Sequence, residues 1–144
     1  MQDVVFFFSE HLILSAFWFF FLISSLFLII KSISLKDKFI GNIQAIKLIN
    51  QKNAVVIDTR SEEIFKRGYI VNSIHFPLKN ILLGNLKEIE AYKAFPIILI
   101  LSDMNECTNC MKEFLKYGFN NVYFLNNGIY YWTLDNLPLI TKDK

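Results

Sequence analysis

Both cysteines of the chain, Cys107 and Cys110, stand three residues apart, directly after the polar run Ser102-Asp103-Met104-Asn105-Glu106. The thiolate is the reactive form of cysteine, and a helix N-terminus favours it, lowering the thiol pKa from about 8.5. A Cys-x-x-Cys pair at a helix start is the arrangement in which one thiol attacks and its neighbour resolves. Cys107 is therefore a candidate nucleophile and Cys110 its resolving partner, although the charges of Asp103 and Glu106 oppose a thiolate there. A plain packing role is the reading to prefer for the pair, with Cys110 a small core residue and Cys107 a loop-end residue, since free cysteine behaves as a small buried hydrophobe. Metal binding has less support: two cysteines and a remote His75 fall short of the four ligands of a structural zinc site unless two chains share the ion. No residue pattern calls for a cofactor.

The elements that must position these thiols are a strand and a helix. Ile97 to Leu101 is a short apolar run behind Pro96 and predicts a buried strand; Cys107 to Tyr117 predicts a helix closed by Gly118. A strand feeding a helix through a short polar loop gathers backbone N–H groups and the positive end of the helix dipole around one pocket. The rest of the chain alternates in the same way. Phe39-Ile40, Val55 to Asp58, Ser73 to Phe76 and Val122 to Leu125 read as further strands. Asn42 is expected to cap a helix with Ile43, Ile46 and Ile49 inward, and Ser61 to start one with Glu62 and Glu63 at its positive end and Gly68 at its stop. Leu86, Ile89 and Tyr92 predict a helix within 85–95, and Ile129 and Trp132 share a face of a last helix that starts at Gly128 and ends before Leu137-Pro138. Repeated strand–helix units imply an α/β domain whose parallel sheet has helices on both faces.

The chain has 144 residues and 53% hydrophobic content, with the excess at its N-terminal end. Leu12 to Ile30 carries no charge and spans about 28 Å as a helix, close to the roughly 30 Å hydrocarbon core of a bilayer. The expected layout is a short segment over 1–11, a transmembrane helix over 12–30, a polar linker over 31–38 and a domain over 39–144. Asp3 and Glu10 before the span, and the absence of a small-residue cleavage motif, favour an uncleaved anchor. Lys31, Lys36 and Lys38 follow the span, so the positive-inside rule puts the N-terminus outside and the domain in the cytoplasm. That compartment is reducing and disfavours a structural disulfide. Beyond Ile30 the net charge is +4. The excess suits an anionic bilayer surface as partner, but no arginine cluster or interleaved aromatic stripe supports nucleic-acid binding.

Three segments carry a resemblance to the rhodanese-like domain, over about 39–139. Val55-Val-Ile-Asp-Thr-Arg60, with Glu62 to Ile70 and Ser73-Ile-His-Phe-Pro77, is similar to the family's D-x-R, E-x-F-x-x-G-H-I and A-x-N-x-P signature. Pro96 to Phe119 matches its strand, loop and helix, and Asn121 to Trp132 its closing n-V-y-x-L-x-G-G-I-x-x-W. With the anchor, the layout resembles the YibN-type membrane-anchored, single-domain members of bacteria. The resemblance implies a parallel five-stranded sheet, an inner-membrane location and sulfur transfer by a cysteine at the end of the central strand. Counting back from Tyr117-Gly118-Phe119, that position falls on Leu101, or with one gap on Ser102. Neither side chain can carry a persulfide. The loop is also acidic, which should repel thiosulfate. Asp58, Arg60, Gly68, Gly128 and Trp132 are implied to be structural. Tyr69 replaces a histidine of the signature, Asn72 a glycine and His75 an asparagine; Asn72 and Asn127 are expected to take left-handed backbone.

Two functions follow. One is a non-catalytic module that binds a membrane or cytoplasmic protein, or a small anion, through the loop of Ser102, Asp103, Met104, Asn105 and Glu106. The other is a sulfurtransferase or persulfide carrier in which Cys107 and Cys110 replace the missing nucleophile.

Overall fold

The computed structural model describes residues 11–141, apart from the side chains of 30–34, so the expectations placed on 1–10 and on the Lys31 side chain lie outside it. The chain divides into two compact units, 1–37 and 38–144. In the first, one helix, α1 (Leu12–Lys36), is apolar on all sides over 12–29, with Phe17, Trp18, Phe20 and Phe21 exposed. Its stretch 12–29 is long and apolar enough to cross a membrane. The polar linker expected over 31–38 is instead helical to Lys36, because residues 31–36 include neither glycine nor proline to stop the helix.

The second unit is built on five parallel strands. They are β1 (Phe39–Ile40), β2 (Val55–Asp58), β3 (Ile74–His75), β4 (Ile97–Ile100) and β5 (Val122–Leu125), ordered β1-β5-β4-β2-β3. Val55 to Asp58 pair in register with Ile97 to Ile100, and Ile97 to Leu99 with Val122 to Phe124. All four residues of β4 are fully buried, as a strand covered on both faces requires. On one face Val56, Ile98, Ile100, Leu125 and Ile40 form a cluster with Ala45 of α2 (Asn42–Lys52) and Trp132 of α6 (Gly128–Leu134). Alternation along the strands turns Ile57, Leu99 and Phe124 to the opposite face. Between β2 and β3 lies α3 (Glu62–Arg67), and after β3 comes α4 (Leu78–Leu82), which packs against α5 (Cys107–Lys116).

Three local readings need correction. Asn42 is the first helical residue and Gly41 takes the cap position; the Asn42 amide points away to Asp135. Ile43 is 84% exposed, because the buried stripe of α2 runs through Asn42 and Ala45, with Ile46 and Ile49 beside it. The helix expected within 85–95 is a 3₁₀ helix, Lys87–Tyr92. Leu86 at its N-cap, Ile89 and Tyr92 recur every third position, a spacing that 3₁₀ and α-helices share.

Candidate functional site

The carboxyl ends of β2 and β4 are locked together by backbone and side-chain bonds, which fixes where the next loops start. The N–H and hydroxyl of Thr59 both donate to the carbonyl of Ile100, at 3.0 and 2.8 Å. Beside it Asp58, wholly buried, accepts from Arg60 Nε at 2.9 Å and Nη2 at 2.6 Å. Arg60 Nη2 also donates to the Gly68 carbonyl at 2.8 Å, and His75 Nε2 sits 2.7 Å from the Arg60 carbonyl, which makes that nitrogen the donor. Phe65 stacks on Tyr69 with ring centroids 4.4 Å apart and leans on His75 at 5.0 Å. Asp58, Arg60, Gly68 and His75 thus form one hydrogen-bonded unit that ties β2, α3 and β3. Asn72 and Asn127 both have left-handed backbone, φ +60° and +51°, as expected of them.

Leu101 follows β4 and is buried, 6% exposed. Its carbonyl lies 3.5 Å from where a Cβ on Gly128 would stand. Gly128 has φ +52°, a backbone that glycine adopts without strain, so α6 starts close against the end of the central strand. Past Leu101 the chain turns out to solvent at Ser102, Asp103 and Asn105. Asp103 Oδ1 accepts the Asn105 N–H at 2.9 Å and opens a 3₁₀ turn, Met104–Glu106. Glu106 Oε2 accepts from Asn109 Nδ2 at 3.0 Å. The loop therefore shows carboxylate and amide groups where α5 begins.

The two thiols lie behind this loop. Cys107 and Cys110 are the first and fourth residues of α5, 1% and 0% exposed, on the face that also carries Met111 and Phe114. They are unlinked. The lowering expected from the helix dipole is overridden. Burial pushes the Cys107 thiol up to about 11, with the Asp103 charge adding to it, and pushes Cys110 up to about 12, with Cys107 and Glu106 adding. Both are neutral thiols at pH 7. Among the described residues no group of three histidine, cysteine or acidic side chains is placed to hold a metal.

Sequence reasoning missed two features. Thr59 was not singled out, since a threonine after a strand gives no sign of a carbonyl partner 41 residues away. Asn42 Nδ2 donates to Asp135 Oδ2 at 2.7 Å, across 93 residues, joining the starts and ends of two helices that local spacing treats separately.

The rhodanese-like domain family matches residues 43–135. An uncharacterized protein of Buchnera aphidicola subsp. Acyrthosiphon pisum is 58% identical over 144 residues, 100% of either chain. The uncharacterized protein YibN of Escherichia coli strain K12 is 34% identical over 140 residues, covering 97% of this chain and 98% of its own. The crystal structure of a rhodanese-related protein from Thermoplasma volcanium superposes with a TM-score of 0.59 at 19% identity, over 72% of this chain and 97% of its own.

Proposed function

The chain belongs to the rhodanese-like domain family, and on that premise we propose that it is a non-catalytic binding module of that fold, anchored in the bacterial inner membrane. The observation that carries this reading is the pairing of Leu101 at the end of β4 with thiols that are buried and protonated. Sulfur transfer needs a nucleophile that reaches a donor, and leucine has none. The Cys107–Cys110 alternative has the right residues on the wrong side of the helix. What the loop presents to solvent is Ser102, Asp103 and Asn105, a surface for a protein partner. Its carboxylates disfavour a small anion.

The anchor is the apolar stretch of α1, with Lys36 and Lys38 following it, which favours a cytoplasmic domain and an outward N-terminus. One experiment tests both parts. Membranes from cells producing the full chain are extracted with alkaline carbonate, and the retained protein is incubated with thiosulfate or a persulfide donor and weighed by mass spectrometry. The chain stays in the pellet and gains no sulfur, and Cys107→Ser and Cys110→Ser behave as the parent. A chain released into the supernatant contradicts the anchor. A one-sulfur mass gain that Cys107→Ser abolishes contradicts the non-catalytic reading.

A further inference from the structure

A groove of about 510 Å³ opens at the carboxyl ends of β1 and β5, one side formed by the first turn of α2 and the other by the last turn of α6. Its size is that of a small-ligand pocket. We propose that this groove receives one basic side chain, arginine or lysine, of a partner protein.

The charge in the groove decides the class of ligand. A helix N-terminus ordinarily attracts an anion, but here Asp135 already stands beside it, its Oδ2 2.7 Å from Asn42 Nδ2. A second anion would meet that carboxylate, whereas a cation would pair with it. Asn42 is 8% exposed and its Oδ1 is buried without a hydrogen-bond partner. That oxygen has no accessible surface, so the acceptor open to a ligand is the exposed carboxylate of Asp135, which lines the groove. Guanidinium and ammonium groups are donors only. The domain's net positive charge acts at longer range and is screened beyond about 8 Å at physiological salt.

The remaining walls fit the stem that carries such a head. Ile43, 84% exposed, faces the groove together with Leu134 and Tyr131, and an aliphatic stem of three or four methylenes would cover them. Tyr131 also lines the groove and brings an aromatic ring, a side-chain type that attracts cations. Gln44 and Asn126 stand on the rim, both exposed, and among the described residues their side chains make no hydrogen bond. Each amide offers one donor and one acceptor set to a peptide backbone, which is the reason to assign the cation to a protein rather than to a free amine.

The test is an NMR titration of the full chain in detergent micelles with N-acetyl-arginine methylamide. Five comparisons accompany it: the norleucine and glutamate analogues, putrescine, and the variants Asp135→Asn and Tyr131→Leu. The arginine derivative is expected to shift the amides of 42–44 and 131–135 saturably, with a dissociation constant of about 1–10 mM. Asp135→Asn keeps an acceptor for the Asn42 amide and weakens binding roughly threefold to fivefold. Tyr131→Leu keeps the apolar wall and weakens it roughly twofold to fivefold. Absence of saturable shifts in that range overturns the proposal, as does equal binding of the norleucine analogue or tighter binding of the glutamate analogue. Tighter binding of putrescine overturns the assignment to a protein side chain.

Discussion

Arg60→Ala is expected to destabilise the domain by about 3–5 kcal/mol, measured as a shift of the urea midpoint at constant slope. Asp58 is wholly buried and its two oxygens are held by Arg60 Nε, Nη2 and the Arg60 N–H. Removing the guanidinium leaves that carboxylate in the interior with one backbone donor, and an uncompensated buried charge is the costly outcome. The Gly68 carbonyl loses its donor in the same step. Arg60→Lys restores the charge but not the planar fork that spans Asp58 and Gly68, so it should recover only part of the loss. If Arg60→Ala matches the parent within about 0.5 kcal/mol, the pair is not what joins β2 to α3 and β3.

Trp132→Ala is expected to be as damaging, at about 3–5 kcal/mol by the same measurement. Trp132 is 4% exposed in the cluster of Ile40, Val56, Ile98, Ile100 and Leu125. Its Nε1 donates to the Pro138 carbonyl at 3.2 Å, and so it fastens the chain after α6 as well as the helix itself. The loss should reach the groove, because Tyr131 and Leu134 of α6, and Asp135 just after it, depend on the helix that Trp132 seats. Trp132→Phe keeps much of the apolar contact but has no N–H, and it should cost about 1–3 kcal/mol. Equal stability of Trp132→Ala and the parent would contradict the packing described for this face.

The central part of the fold was legible in the sequence for a simple reason. The run of Ile97 to Leu101, the polar turn after it and Gly118 at the helix end are local signals, and their order matches what forms. The same holds for the start of the uncharged stretch 12–30, which forms a helix as expected, although the helix runs on to Lys36. Ile43 was misplaced because its spacing to Ile46 and Ile49 fits a helical face, while the sheet selects the neighbouring stripe through Ala45. The 3₁₀ segment was misread as a longer helix from three apolar residues at a spacing both helices share. The short helix after Pro77 carried too few residues to show a period and was not foreseen. At the site, that Leu101 has no nucleophilic atom is a matter of residue type, whereas the choice of its position came from the resemblance to the family's spacing. The depth of Cys107 was not, since residue type does not say whether the first turn of a helix faces the loop or the sheet. The Asn42–Asp135 contact, and with it the groove, has no local trace at all.

A non-catalytic module requires that the thiols beside the loop be unreactive, and alkylation of the folded full chain by iodoacetamide across pH, read at Cys107 by peptide mapping, tests that directly. Burial holds the Cys107 thiol up near about 11, so the thiolate is scarce below that pH. Labelling should stay slow at neutral pH and rise only as the pH approaches that value, or when urea exposes the residue. Rapid labelling at pH 7, with a midpoint at or below the free-thiol value of about 8.5, would contradict the non-catalytic reading and restore Cys107 as a candidate nucleophile.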